Sequence, residues 1–206
     1  MGYMLEFYCL DWEELGEKRG CKNKELLDNI LEEEGQELDL SPDEQQEYEE
    51  ALENILMGDK DKRLEIKKQV AEPADQSKIE EVSDGEAMAI VSLVRHIGER
   101  IGEMSHSSAG GEEFRETFLA VEAKKALNTS VDLLLLTDRP LFGFQSSSYP
   151  SWGGLKKSEL KEVLGDITVE TLPDLDDSDA EAWLYELVDY LTYASESNKD
   201  IITLYL

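Results

Sequence analysis

The two histidines of the chain, His96 and His106, flank Glu99 and Glu103 in a pattern that could bind a metal. On a helix that advances by ~100° per residue, these four side chains lie on one side. Neutral imidazole and carboxylate are good ligands for transition metals, and Glu103-x-x-His106 has the spacing found in di-iron helical bundles. Such a site needs a second Glu-x-x-His on another helix, and the chain has no third histidine.

The apolar residues of the same segment also argue against a metal site. On the helical wheel they lie roughly opposite the histidines, and they comprise Leu93, Ile97, Ile101 and Met104. Arg95 and Glu99 are also spaced as an i, i+4 ion pair. We therefore predict a solvated helix face and no metal or other cofactor.

The acidic segment from Asp174 to Asp179 has oxygen ligands at the alternating positions of an EF-hand loop. Position six is Asp179 where the sharp turn needs glycine, and position twelve is Tyr185 where the loop needs glutamate. An acidic turn that leads into a capped helix is the better interpretation.

Nucleophilic catalysis has no motif in this chain. There is no G-x-S-x-G turn, and Cys9 and Cys21 do not form a C-x-x-C pair. Whether the two cysteines form a disulfide is open. We predict no catalytic residues, although an enzyme is not ruled out.

The charge balance is unusual: 48 acidic and 20 basic residues give a net charge of -28. Such a field repels phosphate backbones and anionic lipid heads, so we expect neither a nucleic acid nor a membrane as partner. The leading hypothesis is a non-catalytic protein whose acidic face binds a basic protein, as an immunity protein or a nucleic-acid mimic does. The candidate contact residues are Glu32, Glu33, Glu44, Glu47, Glu50, Asp176 and Asp177.

Two acidic tracts motivate that hypothesis. The tract from Glu25 to Asp59 contains fourteen acidic residues and no basic one, and the tract from Glu162 to Asn198 contains eleven and no basic one. Amphipathic helices with ordinary solvated sides would produce the same pattern. Whether the two tracts share one face, and the oligomeric state, are open.

The alternative function is a small-molecule-binding protein or enzyme built around residues 140–154. This stretch is rich in glycine and proline, so we predict an irregular loop. Its aromatic residues could line a pocket, and they are Phe142, Phe144, Tyr149 and Trp152.

The two ends of the chain predict strands of one small sheet. Tyr3 to Cys9 is short and rich in aromatic residues, and Ile201 to Tyr205 is rich in β-branched and aromatic residues. These strands could lie side by side. The leucine-rich run from Val131 to Leu136 is compatible with either a buried strand or a helix.

Helices are predicted between the terminal strands. Asp11 with Glu14, Ser41-Pro42-Asp43-Glu44, Ser83 with Glu86, and Ser178 with Glu181 all have the spacing of a capping box. The helix after Ser83 is expected to continue to Met104. Apolar stripes with helical spacing follow each start, and those of the later helices include Phe114, Phe118 and Val121, then Leu184, Leu187, Val188 and Leu191.

We therefore predict an α+β protein that is predominantly helical, with amphipathic helices packed on a sheet that includes the N- and C-terminal strands. Residues 1–206 are expected to form one domain, with a weak internal boundary near residues 59–82, where a lysine-rich stretch meets Pro73. No run approaches the ~20 apolar residues of a membrane span, and the first ten residues do not have the pattern of a signal peptide. With only two cysteines, the chain is predicted to be cytoplasmic.

Three segments carry a resemblance to known proteins. The chain opens with Met1-Gly2-Tyr3-Met4-Leu5, has an aromatic and proline-containing loop before Ser158 to Leu164, and closes with Asp200 to Tyr205. In these segments it resembles a bacterial family of uncharacterised proteins. None of the segments is a chemical motif, so the resemblance implies no function.

Overall fold

A computed structural model of the chain describes residues 2–34, 38, 40–58, 80–107, 113–141, 144–145, 150–165, 167, 171–173, 175 and 178–206. The helices are α1 (Trp12–Lys18), α2 (Lys24–Glu33), α3 (Pro42–Met57), α4 (Asp84–Ile97), α5 (Glu113–Ala123, with wide π-type turns), α6 (Lys124–Ala126), α7 (Lys157–Leu164) and α8 (Ser178–Glu196). The strands are β1 (Gly2–Leu10), β2 (Glu80–Glu81), β3 (Glu99–Ser107), β4 (Phe144–Gln145), β5 (Ser151–Leu155) and β6 (Asp200–Tyr205). A short 3₁₀ helix spans Leu133–Leu136.

The chain divides into two compact units, and each contains segments that are distant in sequence. Unit 1 comprises Met1–Asp11, Glu99–Arg139 and Trp152–Leu206. Unit 2 comprises Trp12–Gly98 and Pro140–Ser151. The predicted weak boundary stays a prediction, because residues 59–79 lie outside the described residues.

Unit 1 is built on a four-stranded sheet with the order β3-β1-β6-β5. The two terminal strands are antiparallel neighbours, with Leu5 opposite Tyr205 and Cys9 opposite Ile201, which confirms the predicted terminal sheet. β1 also pairs antiparallel with β3 along its whole length. The fold is therefore α+β and dominated by helices, as predicted.

Alternation along β1 divides its side chains between two faces, because successive residues of a strand point in opposite directions. Leu5, Phe7 and Cys9 belong to the hydrophobic core that α5, α7 and α8 cover. Glu6 and Tyr8 lie on the opposite face and are also buried. The sheet therefore has no solvated face along these residues.

Unit 2 contains the helices whose starts were clearest in the sequence. Ser41 forms the predicted capping box with Glu44, and Pro42 occupies the first turn of α3. The predicted stripe of α3 is buried, namely Tyr48, Ala51, Leu52, Ile55 and Leu56. Ser83 and Glu86 form a second capping box at the start of α4, which packs along α3. These predictions are confirmed.

The helix predicted to run from Ser83 to Met104 is wrong in its second half. α4 ends at Ile97, and Gly98 adopts an extended backbone while its N–H still bonds the carbonyl of Val94. Residues 99–107 form β3, because antiparallel pairing with residues 2–9 of β1 gives hydrogen-bond partners to backbone groups along one edge of this segment. Apolar residues at 97, 101 and 104 fit a helix, and this local periodicity hid the non-local pairing.

Two further expectations need correction, and one open alternative is decided. Val121 is 57% exposed, because the wide turns of α5 direct Phe114 and Phe118, but not Val121, into the core. Residues 151–155 are a strand and not an irregular loop, since β5 pairs with β6. The run from Leu133 to Leu136 is helical, as one of the two alternatives allowed, but its turns are of the narrow 3₁₀ type.

Candidate functional sites

Exposed carboxylates cover α2 and α3 in unit 2. α2 contributes four of them and α3 contributes six, namely Glu25, Asp28, Glu32 and Glu33, then Asp43, Glu44, Glu47, Glu49, Glu50 and Glu53. We call this set the α2–α3 acidic surface. Five of its members were predicted as partner contacts, and all five are exposed. Asp176 and Asp177, the other two predicted contacts, lie outside the described residues.

Capping hydrogen bonds stabilise the first turns of α2 and α3, the helices that carry these charges. The Asn23 side chain caps α2 by accepting a hydrogen bond from the Leu26 N–H, 3.1 Å away. In the capping box of α3, the Ser41 N–H donates to Glu44 Oε2 over 2.8 Å. The Ser41 contacts hold the pKa of Glu44 below its usual value, so this carboxylate stays charged.

Several members of the acidic surface already have structural roles. Glu33 lies 3.0 Å from Nδ1 of His96 on α4. The stem of Glu47 touches Gly85, where a Cβ atom would come within 2.6 Å of its Cγ. Gln46 donates to Glu50 over 2.8 Å, which is a contact within one helix. Substitutions that probe binding should therefore avoid Glu33, Glu44 and Glu47.

The predicted arrangement of His96, Glu99, Glu103 and His106 on one helix side is wrong. His96 lies on α4 in unit 2, whereas the other three residues lie on β3 in unit 1. The expected Arg95–Glu99 helical pair is excluded for the same reason. Among the described residues, no group of three or more His, Cys, Asp or Glu side chains is placed to hold a metal ion.

The aromatic residues of the alternative function are only partly described. Trp152 is fully buried in β5. Phe144 lies on β4, which pairs with β2, and its side chain is outside the described part of the chain. Phe142 and Tyr149 also lie outside it. The pocket at this loop stays a prediction.

Unit 1 contains an open cavity of about 320 Å³ that the sequence did not predict. β3 contributes residues Glu99–Ile101, and α8 contributes Asp189, Tyr190, Thr192, Tyr193 and Glu196. We call it the α8–β3 cavity. The three α8 residues Asp189, Tyr193 and Glu196 follow i, i+4, i+7 spacing, which places them on one helix side.

The tyrosines of this cavity are held in place by β3. The Tyr190 ring lies over Gly102, where a Cβ atom would come within 2.2 Å of the ring, and its hydroxyl donates to the Glu103 carbonyl over 3.2 Å. The Tyr193 hydroxyl donates to Glu99 Oε1 over 2.7 Å. This hydrogen bond and the charge of Glu99 raise the pKa of Tyr193, so the phenol stays neutral and keeps donating.

A β-bulge in β3 determines which sheet face carries Arg100. Phe7 faces Gly102 and Tyr8 faces Arg100, so Ile101 is the extra residue of β3. The extra residue places Arg100 on the same sheet face as Glu103, and Arg100 forms ion pairs with Glu103 and with Glu6. Its positive charge is therefore compensated by two carboxylates.

Glu6 is the most buried carboxylate of this network. Its side chain is 4% exposed, it accepts a hydrogen bond from the Tyr8 hydroxyl over 2.9 Å, and Arg100 Nη2 lies 3.3 Å from its Oε1. A buried carboxylate needs such partners because desolvation otherwise disfavours its charged form. We assign these residues a structural role.

A partly buried ion pair between Arg139 and Glu159 anchors β5 and α7. Arg139 donates to both oxygens of Glu159, over 2.5 and 3.0 Å, and to the carbonyl of Gly154 over 3.2 Å. Burial raises the pKa of Glu159, but the hydrogen bonds from Arg139 and Lys156 outweigh burial and lower it. The pair fits a structural role, because it joins the residues that follow the 3₁₀ helix to α7.

The two cysteines are free thiols, Cys9 buried and Cys21 exposed. Burial and the neighbouring Glu99 raise the pKa of Cys9 to about 11. Because the thiolate is the nucleophilic form, this shift disfavours Cys9 as a nucleophile at neutral pH.

Sequence reasoning missed the cavity because its two walls are distant in sequence and meet only in the folded chain. Glu99 and Tyr193 are 94 residues apart. The spacing of Asp189, Tyr193 and Glu196 was the one local signal, and the same spacing is typical of the solvated side of an amphipathic helix. No helix of the described residues is long and apolar enough to cross a membrane.

Comparison with protein-family models, with curated proteins and with solved structures finds no match to this chain. The resemblance to a bacterial family stays a prediction.

Proposed function

We propose that the chain is a non-catalytic protein that binds a basic protein partner through the α2–α3 acidic surface. The observation that supports this is the set of ten exposed carboxylates, four on α2 and six on α3, in a stretch with no lysine or arginine between Glu25 and Gly58. An inhibitor of the immunity type, or a mimic of a nucleic acid, needs such a surface.

Electrostatics would give this interaction a recognisable behaviour. A surface of one sign attracts a partner of the opposite sign over distance, which speeds association and makes it sensitive to salt. The same field disfavours nucleic acids and anionic membranes as partners. We also propose a cytoplasmic location, which two free cysteines support because reducing compartments keep thiols unpaired.

The test compares two variants with the same net charge. The surface variant carries Glu32→Gln, Glu50→Gln and Glu53→Gln, which leave Glu33, Glu44 and Glu47 unchanged. The control carries Glu116→Gln, Glu122→Gln and Glu186→Gln on α5 and α8 of unit 1. Each changes the net charge from -28 to -25, because three glutamates become neutral.

Binding is measured by calorimetry with lysozyme and cytochrome c as basic probes, at about 0.05 M and about 0.5 M salt. We expect a complex with the wild-type chain at low salt, and about fivefold to tenfold weaker binding for the surface variant, since each lost charge pair contributes ~0.2–1 kcal/mol. The control should stay within about twofold. No complex at low salt, or equal weakening in both variants, would count against the proposal.

A further inference from the structure

The α8–β3 cavity contains more negative charge than its own residues compensate. Glu99, Asp189 and Glu196 line it, and the described residues place no cationic side chain against any of the three. Arg100, the basic residue of the cavity lining, is already paired with Glu6 and Glu103. An entering cation would therefore meet three carboxylates and little competition from within the protein.

The aromatic residues of the cavity also favour a cationic ligand. Tyr190 and Tyr193 are both neutral phenols, and aromatic faces attract cations through their quadrupole. Tyr193 is one of the two large hydrophobic side chains that are exposed among the described residues, at 44%. Its hydroxyl bond to Glu99 holds this exposed ring beside a carboxylate, an arrangement that suits a ligand with both a positive charge and an apolar body.

The size of the cavity limits the ligand. Its volume of about 320 Å³ is near the lower end of ligand sites in proteins, which begin near ~300 Å³. The cavity is also open to solvent along one side. A short aliphatic chain fits, whereas a nucleotide or a larger cofactor would bring phosphate groups toward the three carboxylates.

We propose that the α8–β3 cavity binds a small aliphatic ammonium compound, with Glu99 and Glu196 pairing with the ammonium group and Tyr190 and Tyr193 contacting the alkyl chain. Glu99 has one oxygen engaged by Tyr193, and its Oε2 remains to accept from the ligand. The pre-arranged rings reduce the ordering that binding requires. This site is in unit 1 and does not depend on the proposed protein partner of unit 2.

The probe is putrescine, a four-carbon diamine, titrated calorimetrically into the full chain at about 0.15 M salt, which screens the long-range field of the protein. We expect saturable binding at one site. The uncharged analogue of equal length, 1,4-butanediol, should give no saturable heat. Equal binding of the two compounds, or heat from putrescine that does not saturate, would overturn the proposal.

Two double variants locate the site. Glu99→Gln with Glu196→Gln should weaken putrescine binding by at least about tenfold, because both charge-assisted hydrogen bonds are lost. Glu116→Gln with Glu122→Gln removes the same charge on α5 of unit 1 and should change putrescine binding by less than about twofold. Equal loss in both would mean that putrescine senses only the overall charge, and the cavity would be rejected.

A single variant keeps the test decisive if the double variant fails to fold. Tyr193→Ser removes the exposed ring and should weaken binding by about fivefold through the lost contact with the alkyl chain. The triple variant of the α2–α3 acidic surface should retain wild-type putrescine binding. Unchanged binding in Tyr193→Ser would contradict the assigned walls.

Discussion

The two units of this protein use acidic side chains in different ways. In unit 1, Glu6 and Glu159 are largely buried and each is paired with an arginine. In unit 2, the carboxylates of the α2–α3 acidic surface are exposed, and their contacts are mostly within one helix, as between Gln46 and Glu50. Burial makes a charge part of the fold, whereas exposure leaves it available to a partner.

This difference has an energetic basis. A buried carboxylate that loses its partner keeps the desolvation cost without the compensating interaction, which is expensive. An exposed carboxylate remains hydrated whether or not a neighbour is present, so its removal has little effect on stability. The high net charge of the chain is therefore compatible with folding, because the described carboxylates of α2 and α3 stay in water.

The largest expected effect is the loss of β6. Ending the chain at Lys199 removes the strand between β1 and β5, including four fully buried apolar residues, Ile201, Ile202, Leu204 and Tyr205. At ~1.5–3 kcal/mol each, this loss of ~6–12 kcal/mol is comparable to the whole stability of a typical protein. We expect no cooperative thermal transition by circular dichroism.

In unit 2, the triple variant of the α2–α3 acidic surface is compared with this truncation. Its melting midpoint should differ from that of the wild-type chain by less than about 4 °C. A truncated chain that melts cooperatively within this same range of the wild type would mean that β6 is not required. The comparison between the two units would then fail.

Arg100→Ala is expected to have the next largest effect. It removes the arginine that pairs with the buried Glu6, and removing a partner of a buried carboxylate costs about 3 kcal/mol. Urea unfolding measures this change. Glu50→Gln, on an exposed helix side, should change the unfolding free energy by no more than about 0.5 kcal/mol.

Glu103→Gln is the second control, because it removes the exposed partner of Arg100 and leaves the buried one. We expect a loss below about 1 kcal/mol. If Glu103→Gln were as damaging as Arg100→Ala, the buried Glu6 would not be the residue that makes Arg100 important.

A pair of glycine substitutions is expected to have effects of opposite sign in the two units. Gly102→Ala would place a Cβ atom 2.2 Å from the Tyr190 ring, so we expect a loss of about 1–3 kcal/mol. Gly16, within α1 of unit 2, has no atom within 4 Å of the position of a Cβ. Gly16→Ala should therefore stabilise the protein by about 0.5–1 kcal/mol.

Combining Gly102→Ala with Tyr190→Ala tests the cause of the first effect. If the ring clash is responsible, the two losses should be less than additive in urea unfolding. Full additivity would mean that Gly102 is required for another reason.

The sequence determined the features that depend on neighbours a few residues apart. The capping boxes of Ser41 with Glu44 and of Ser83 with Glu86 were both found, because each joins groups three residues apart. The buried stripe of α8 was found for the same reason, since residues at helical spacing share a side. The terminal strands were recognised from their residue types and their short length.

Only the tertiary structure decided features that join distant segments. Whether residues 99–107 form a strand depended on β1 being available to pair with them. The bulge at Ile101, which brings Arg100 to Glu6, exists only within that pairing. Likewise, the α8–β3 cavity requires Glu99 to meet Tyr193, 94 residues later. Local patterns specify helix starts and buried sides because those interactions are short in sequence, whereas a sheet and a cavity form from residues whose proximity no local pattern records.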